Sequence, residues 1–106
     1  MNYYADSTEW KWLFHNAIDW DNILPLYYPN FPTEDGFNNK EEVIQFMEEM
    51  LIATGEWAAG PVAERARRLD EEGAGTLEDG KTVPGPALTE FYNECNELQI
   101  IGLAAP

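Results

Sequence analysis

Cysteine is almost absent from this chain. Cys95 stands alone, so no internal disulfide can form, and a single thiol is the usage expected of a cytosolic protein. Basic residues are scarce as well: six Lys and Arg stand against twenty Asp and Glu, for a net charge of −14. Neutralising nucleic-acid phosphates needs Lys and Arg, so this balance excludes nucleic acid as a partner. Anionic membrane surfaces are excluded on the same ground. No apolar run approaches the roughly 20 residues that span a bilayer, so no membrane span is expected. The first residues, Met1-Asn2-Tyr3-Tyr4-Ala5-Asp6, carry neither a basic nor an apolar region, so they do not read as a signal peptide. His15 is the one histidine, with no second histidine or nearby cysteine to build a zinc site. Gly73-Ala74-Gly75 follows a helical pattern and precedes none, so it is no phosphate loop.

What is present suffices for a small folded domain. The apolar fraction is 44% and there are four tryptophans among 106 residues, far more than a disordered chain of this charge would carry. The acidity reads first as a solvated surface.

The stretch Asn38 to Glu72 organises the chain. It opens on Asn38-Asn39 and an acidic turn, Glu41-Glu42, and closes on Arg65, Arg67, Arg68 and then Gly73. That is the charge order a helix dipole favours. Asn39 with Glu42, or Asn38 with Glu41, forms a capping-box-like start. Between the ends, Val43, Ile44, Met47, Leu51, Thr54, Trp57, Ala58, Val62, Ala66 and Leu69 fall three or four residues apart. This spacing draws one apolar stripe on a helix. Some 30 residues would run about 45 Å, and Gly60-Pro61 predicts a kink or break, because Pro61 removes the amide that would bond the Trp57 carbonyl. Gly55 is a second soft point.

Before it, Ser7 or Asp6 can cap a helix from Thr8 to Ala17, with Trp10, Leu13, Phe14 and Ala17 on one face. A shorter helix is predicted from Asp19 to Leu24, capped by Asp19 or Asp21 and stopped by Pro25. Trp20, Ile23 and Leu24 share its apolar face. Pro25 to Gly36 is a connector with a turn at Thr33-Glu34-Asp35-Gly36, and Tyr27, Tyr28 and Phe31 hold it against a neighbouring surface. After the long stretch, Glu78-Asp79-Gly80-Lys81 predicts a tight turn between Thr76-Leu77 and Thr82-Val83. Pro86 opens a last helix whose stripe is Leu88, Phe91, Tyr92, Cys95 and Leu98. Ile100, Ile101 and Leu103 follow, an apolar run expected to seek a surface. The fold class is all-α, with three to four main helices and a kinked long helix.

The residues alone offer no chemistry. His15 reads as a surface or packing histidine, and Cys95, on the apolar stripe of the last helix, as a buried structural thiol. Glu48-Glu49 and Asp70-Glu71-Glu72 read as a solvated face. Asp19, Asp21, Glu34 and Asp35 read as caps and turns. No pair of carboxylates sits where apolar neighbours would separate an acid from a base. No catalytic, cofactor-binding or metal-ligating residue is assigned.

The order of these elements resembles the N-terminal helical domain of the flavin-dependent acyl-CoA dehydrogenases. The residues that carry the likeness begin with Phe46-Met47-Glu48-Glu49-Met50-Leu51. Pro61 follows in a break, then the charged run Glu64-Arg65-Ala66-Arg67-Arg68-Leu69-Asp70-Glu71-Glu72-Gly73. The loop Glu78-Asp79-Gly80-Lys81-Thr82-Val83-Pro84-Gly85 comes next. A last helix then runs into Glu97-Leu98-Gln99-Ile100-Ile101-Gly102-Leu103-Ala104-Ala105-Pro106. In the family that proline is usually followed by an acidic residue and a glycine pair. Tyr3-Tyr4-Ala5-Asp6 and the helix from Trp10 to Ala17 resemble the N-terminal extension of the larger bacterial members. One departure is Gln99, where the family commonly has glycine.

The resemblance divides the chain into an extension and connector, 1–36, and an incomplete helical domain, 37–106. It implies a parent enzyme of fatty-acid β-oxidation that removes two hydrogens across the α,β bond of an acyl-CoA thioester. A glutamate base and FAD act there in domains outside this chain. The chain itself would then be structural and inactive alone, with the rest of the parent as its partner and homo-oligomerisation expected. The alternatives are a stand-alone acidic helical protein-interaction module and one chain of a split dehydrogenase.

Overall fold

The computed structural model describes residues 1–100, so Ile101 and Leu103 of the expected apolar tail lie outside the described residues. The chain is mostly helical. In order come α1 (Thr8–Trp12), a π turn (Leu13–Ala17), α2 (Trp20–Tyr27), α3 (Lys40–Trp57), a second π turn (Ala58–Val62) and α4 (Ala63–Glu72). The strands β1 (Thr76–Glu78) and β2 (Lys81–Val83) and then α5 (Pro86–Glu97) complete it. Two compact units emerge, Met1–Gly60 and Pro61–Pro106. Among the described residues no helix is long and apolar enough to cross a membrane.

Local signals place most helix starts. Ser7 caps α1, its Oγ accepting from Trp10 N at 3.2 Å. Asp19 caps α2 through Asn22 N. Asn39 caps α3, accepting from Glu42 N at 3.0 Å, and the Glu42 carboxylate reaches back to Asn38 N at 2.7 Å. These bonds satisfy amides that the first helical turn leaves without partners.

One proline behaves otherwise than expected, and a second marks the expected irregularity in a form local rules did not specify. Pro25 does not stop α2, which continues to Tyr27. The carbonyl deprived of a partner is that of Asp21, and Asp21 and Pro25 are both exposed, so water can take the lost bond. At Pro61 the backbone neither breaks nor stays α. It widens into the π turn, in which N–H groups reach back five residues. The helical run therefore continues from Lys40 to Glu72.

In Met1–Gly60 the buried side chains are Tyr4, Phe14, Leu24 and Val43. Val43 comes from the predicted stripe of α3, and Ile44 and Met47 are half-buried, whereas Leu51 is 39% exposed. Trp10, expected on the inner face of α1, is 60% exposed. Of the three connector aromatics only Tyr28 lies down, meeting Phe37 edge-on at 6.0 Å, and Phe37 in turn meets Phe46 at 5.4 Å, whereas Tyr27 and Phe31 are exposed. Gly36 N bonds Thr33 O at 3.1 Å in the expected turn.

In Pro61–Pro106 the strands pair antiparallel with Thr76 opposite Val83 and Glu78 opposite Lys81. Asp79 and Gly80 take φ of 49° and 75°, the conformation a two-residue hairpin turn requires. The inner face of α5 is rotated from the predicted stripe. Ala87 and Cys95 are buried, Phe91 and Glu94 half-buried, and Leu88, Tyr92 and Leu98 exposed. Ion pairs to α4 set this register: Arg65 pairs with Glu94 and Arg68 with Glu90 at 2.8 Å. The arginines thus serve pairs rather than the dipole of α4, whose last turn is Leu69-Asp70-Glu71-Glu72. Glu72 supplies the cap α5 lacks, accepting from Ala87 N at 2.7 Å.

The end of α5 is a six-residue capping motif. Ile100 N bonds Cys95 O at 3.0 Å and Gln99 N bonds Asn96 O at 3.1 Å. Gln99 holds the left-handed position with φ of 55°, where glycine carries no Cβ penalty. Gln99→Gly is expected to stabilise Pro61–Pro106 by about 0.5–1 kcal/mol, measured as a shift in the urea midpoint with an unchanged slope.

Candidate functional site

The N-terminal turn is fastened to α3 by its backbone and by Asn2. Asn2 Oδ1 accepts from Tyr4 N at 3.0 Å and Ala5 N at 2.8 Å, while Asn2 Nδ2 donates to Ile52 O at 2.8 Å. Tyr3 N donates to Gly55 O at 3.3 Å. The approach is so close that a Cβ on Gly55 would stand 2.5 Å from Asn2 Oδ1 and 2.8 Å from Tyr4 N. Gly55 is therefore the seat of the turn, a role beyond local softness.

This seat delivers Tyr4 to the α3 surface, where it is 7% exposed. Its hydroxyl donates to Glu48 Oε1 at 2.9 Å, and His15 Nε2 meets the same oxygen at 2.9 Å. A carboxylate can only accept, so Nε2 carries the proton. Phe14 sits among them, edge-on to Tyr4 at 6.1 Å, to His15 at 5.1 Å and to Trp20 at 5.0 Å. Two side-chain donors take up carbonyls of the first π turn and its flank: Trp20 Nε1 bonds Phe14 O and Asn16 Nδ2 bonds Trp12 O, both at 2.9 Å.

Electrostatics define what this trio can do. Burial, then the Glu48 carboxylate, pushes the Tyr4 hydroxyl up from 10.0 to about 12. Burial alone would raise Glu48. The hydrogen bonds from His15 and Tyr4 and the fields of His15 and Lys11 outweigh it and hold the carboxyl below the usual range. Tyr4 and Glu48 are thus driven away from neutrality in opposite directions. The bond between Tyr4 and Glu48 joins the N-terminal turn to α3 across 44 positions, which makes the pair a structural fastening. Glu48, expected on a solvated face, and His15, expected at the surface or in packing, are joined here. Glu48 was outside the apolar stripe drawn from the sequence, and the one signal that could have found it is its position four residues after Ile44, one helical turn along the same side. Nothing local pointed to Tyr4.

Beside this fastening lies an open cavity of about 590 Å³. Its wall includes Leu13, Phe14, Ile18, Leu51 and Thr54. Both π turns contribute, through Ala17 and Ala58. No charged side chain lines it.

The other candidates stay apart. Cys95 is a buried free thiol on α5. Asp19 is a cap, and Asp21 pairs with Lys40. Among the described residues no group of His, Cys, Asp and Glu is placed to hold a metal ion. No family model, curated protein or solved structure matches the chain.

Two changes test the fastening. Gly55→Ala should cost about 1–3 kcal/mol and speed amide exchange in residues 2–6. The pH dependence follows from the two shifts. Tyr4, raised on folding, contributes stability that is full below pH 10 and lost between 10 and about 12. Glu48, lowered on folding, contributes stability present above its ordinary 4.5 and lost as the pH falls through its folded value. In urea denaturation, Tyr4→Phe should remove an alkaline loss of at most about 2–3 kcal/mol. Glu48→Gln should flatten the acid limb.

Proposed function

We propose that this chain is the N-terminal helical segment of a flavin-dependent acyl-CoA dehydrogenase of the larger bacterial type. Its part there is to pack: it forms a helical wall for the remainder of the polypeptide and is inactive alone. The proposed partners are that remainder and further copies of the chain.

The observation that carries the reading is the order of elements: the helix Lys40–Trp57, the departure from α geometry at Pro61, the charged helix Ala63–Glu72, the hairpin and the last helix from Pro86 follow one another as the resemblance calls for. Gln99 departs from the family's glycine, and it occupies the left-handed capping position that glycine fills most easily. A second support is unburied apolar surface away from the cavity. Leu26 is 80% exposed, Leu77 76% and Tyr27 73%, as expected of a segment with faces left to cover.

The described residues do not fit FAD. A flavin dinucleotide presents a pyrophosphate, and the cavity wall has no cation or glycine-rich helix start to receive one. In this reading the flavin and the base that takes the α proton belong to the rest of the parent, and no step is assigned to this chain.

Reading the gene beyond the Pro106 codon tests the proposal. The expected frame continues with an acidic residue, a glycine pair and several hundred further codons. Its purified product should hold a flavin whose absorbance bleaches when an acyl-CoA is added. A stop codon directly after Pro106, or a longer product without flavin, would overturn it.

A further inference from the structure

We propose that the cavity between the N-terminal turn, the first π turn and α3 is a binding site for an uncharged, apolar small molecule. The inference concerns Met1–Gly60 alone and stands apart from the family reading.

Size and construction come first. A volume of about 590 Å³ lies within the roughly 300–1,000 Å³ of small-molecule sites. Its walls are fixed before any ligand arrives. Asn2 and Gly55 hold one side through the bonds to Ile52 O and from Tyr3 N. Tyr4 is anchored to Glu48. Two π turns border the space, and such turns are rare in helices and concentrate at functional sites. Each places an alanine there, Ala17 and Ala58, where a larger side chain would fill the volume.

Charge decides the ligand. Lys11 and Lys40 are the sole Lys or Arg residues in Met1–Gly60. Lys40 is paired with Asp21, and Lys11 acts on Glu48. Neither lines the cavity, so an anionic head group finds no counter-charge and meets the field of an acidic surface. The hydroxyls of the inner wall have already given their protons: Thr54 Oγ donates to Met50 O at 2.8 Å and Tyr4 to Glu48. These two keep acceptor lone pairs only, and the donors remaining on the wall, the Tyr3 hydroxyl and the Trp10 indole N–H, sit on exposed side chains and carry no charge. The occupant that fits is an apolar chain or ring system without formal charge.

1-Dodecanol and dodecanoate serve as matched probes in calorimetric titration of the 106-residue chain. The alcohol is expected to saturate at one molecule per chain. At low ionic strength it should bind at least about tenfold tighter than the carboxylate, and the ratio should narrow as salt screens the repulsion. Ala17→Trp, which fills the cavity, should weaken the alcohol by about tenfold or more, with helicity checked by circular dichroism. Ala58→Trp provides the same test from the other π turn if the first variant fails to fold. Dodecanoate binding as tightly as the alcohol, uptake without saturation at one per chain, or a folded tryptophan variant that binds like the parent would overturn the proposal.

Discussion

Tyr4 holds the first unit together. Its ring is buried against Phe14, and its hydroxyl donates to a carboxylate forty-four positions away in the chain. A hydrogen bond to an ionised acceptor is stronger than a neutral one, and burial of the ring shields it from water. The bond exists because the backbone of the N-terminal turn can approach α3 at Gly55. Each part requires the other: without the glycine the turn stands off, and without the turn the face of α3 around Glu48 and Ile52 is bare. The cavity is a by-product of this arrangement, since the same turn forms one of its walls.

The second unit is held by different means. Its buried side chains are small, Ala87 and Cys95. The seam between α4 and α5 is instead lined by Arg65, 15% exposed, which pairs with Glu94 and lies over the Phe91 ring at 6.0 Å. Exposed pairs such as Arg67 with Glu71 contribute little. A partly buried arginine with a carboxylate on one side and an aromatic face on the other contributes more, and it fixes the rotation of α5. Both units leave large apolar side chains outside. This thin core fits the proposal that further surface of a parent enzyme covers them, while the open apolar cavity of the first unit has the size of a small-molecule site.

Much of the fold was legible because its signals act over three or four residues. Ser7, Asp19 and Asn39 cap helices through amides within that range. Asp79-Gly80 makes a turn through its own backbone angles, and Pro86 starts a helix by the φ its ring imposes. The mostly helical character followed from spacing. Local rules misjudged Pro25, because an exposed helix can leave a proline's lost bond to water, and at Pro61 they marked a departure from α geometry without giving its π form. That choice depends on where the surface lies.

The sequence by itself therefore determined where helices begin and where the hairpin turns, since each is decided by neighbours along the chain. Tertiary structure alone decided which face of α5 turns inward, that Glu72 caps it, that Gly55 receives the N-terminal turn, and that Tyr4, His15 and Glu48 meet. These contacts join residues 15 to 50 positions apart. A short-range pattern can mark such residues as polar or small. It cannot say which partner brings them out of water, because that is fixed when the elements pack.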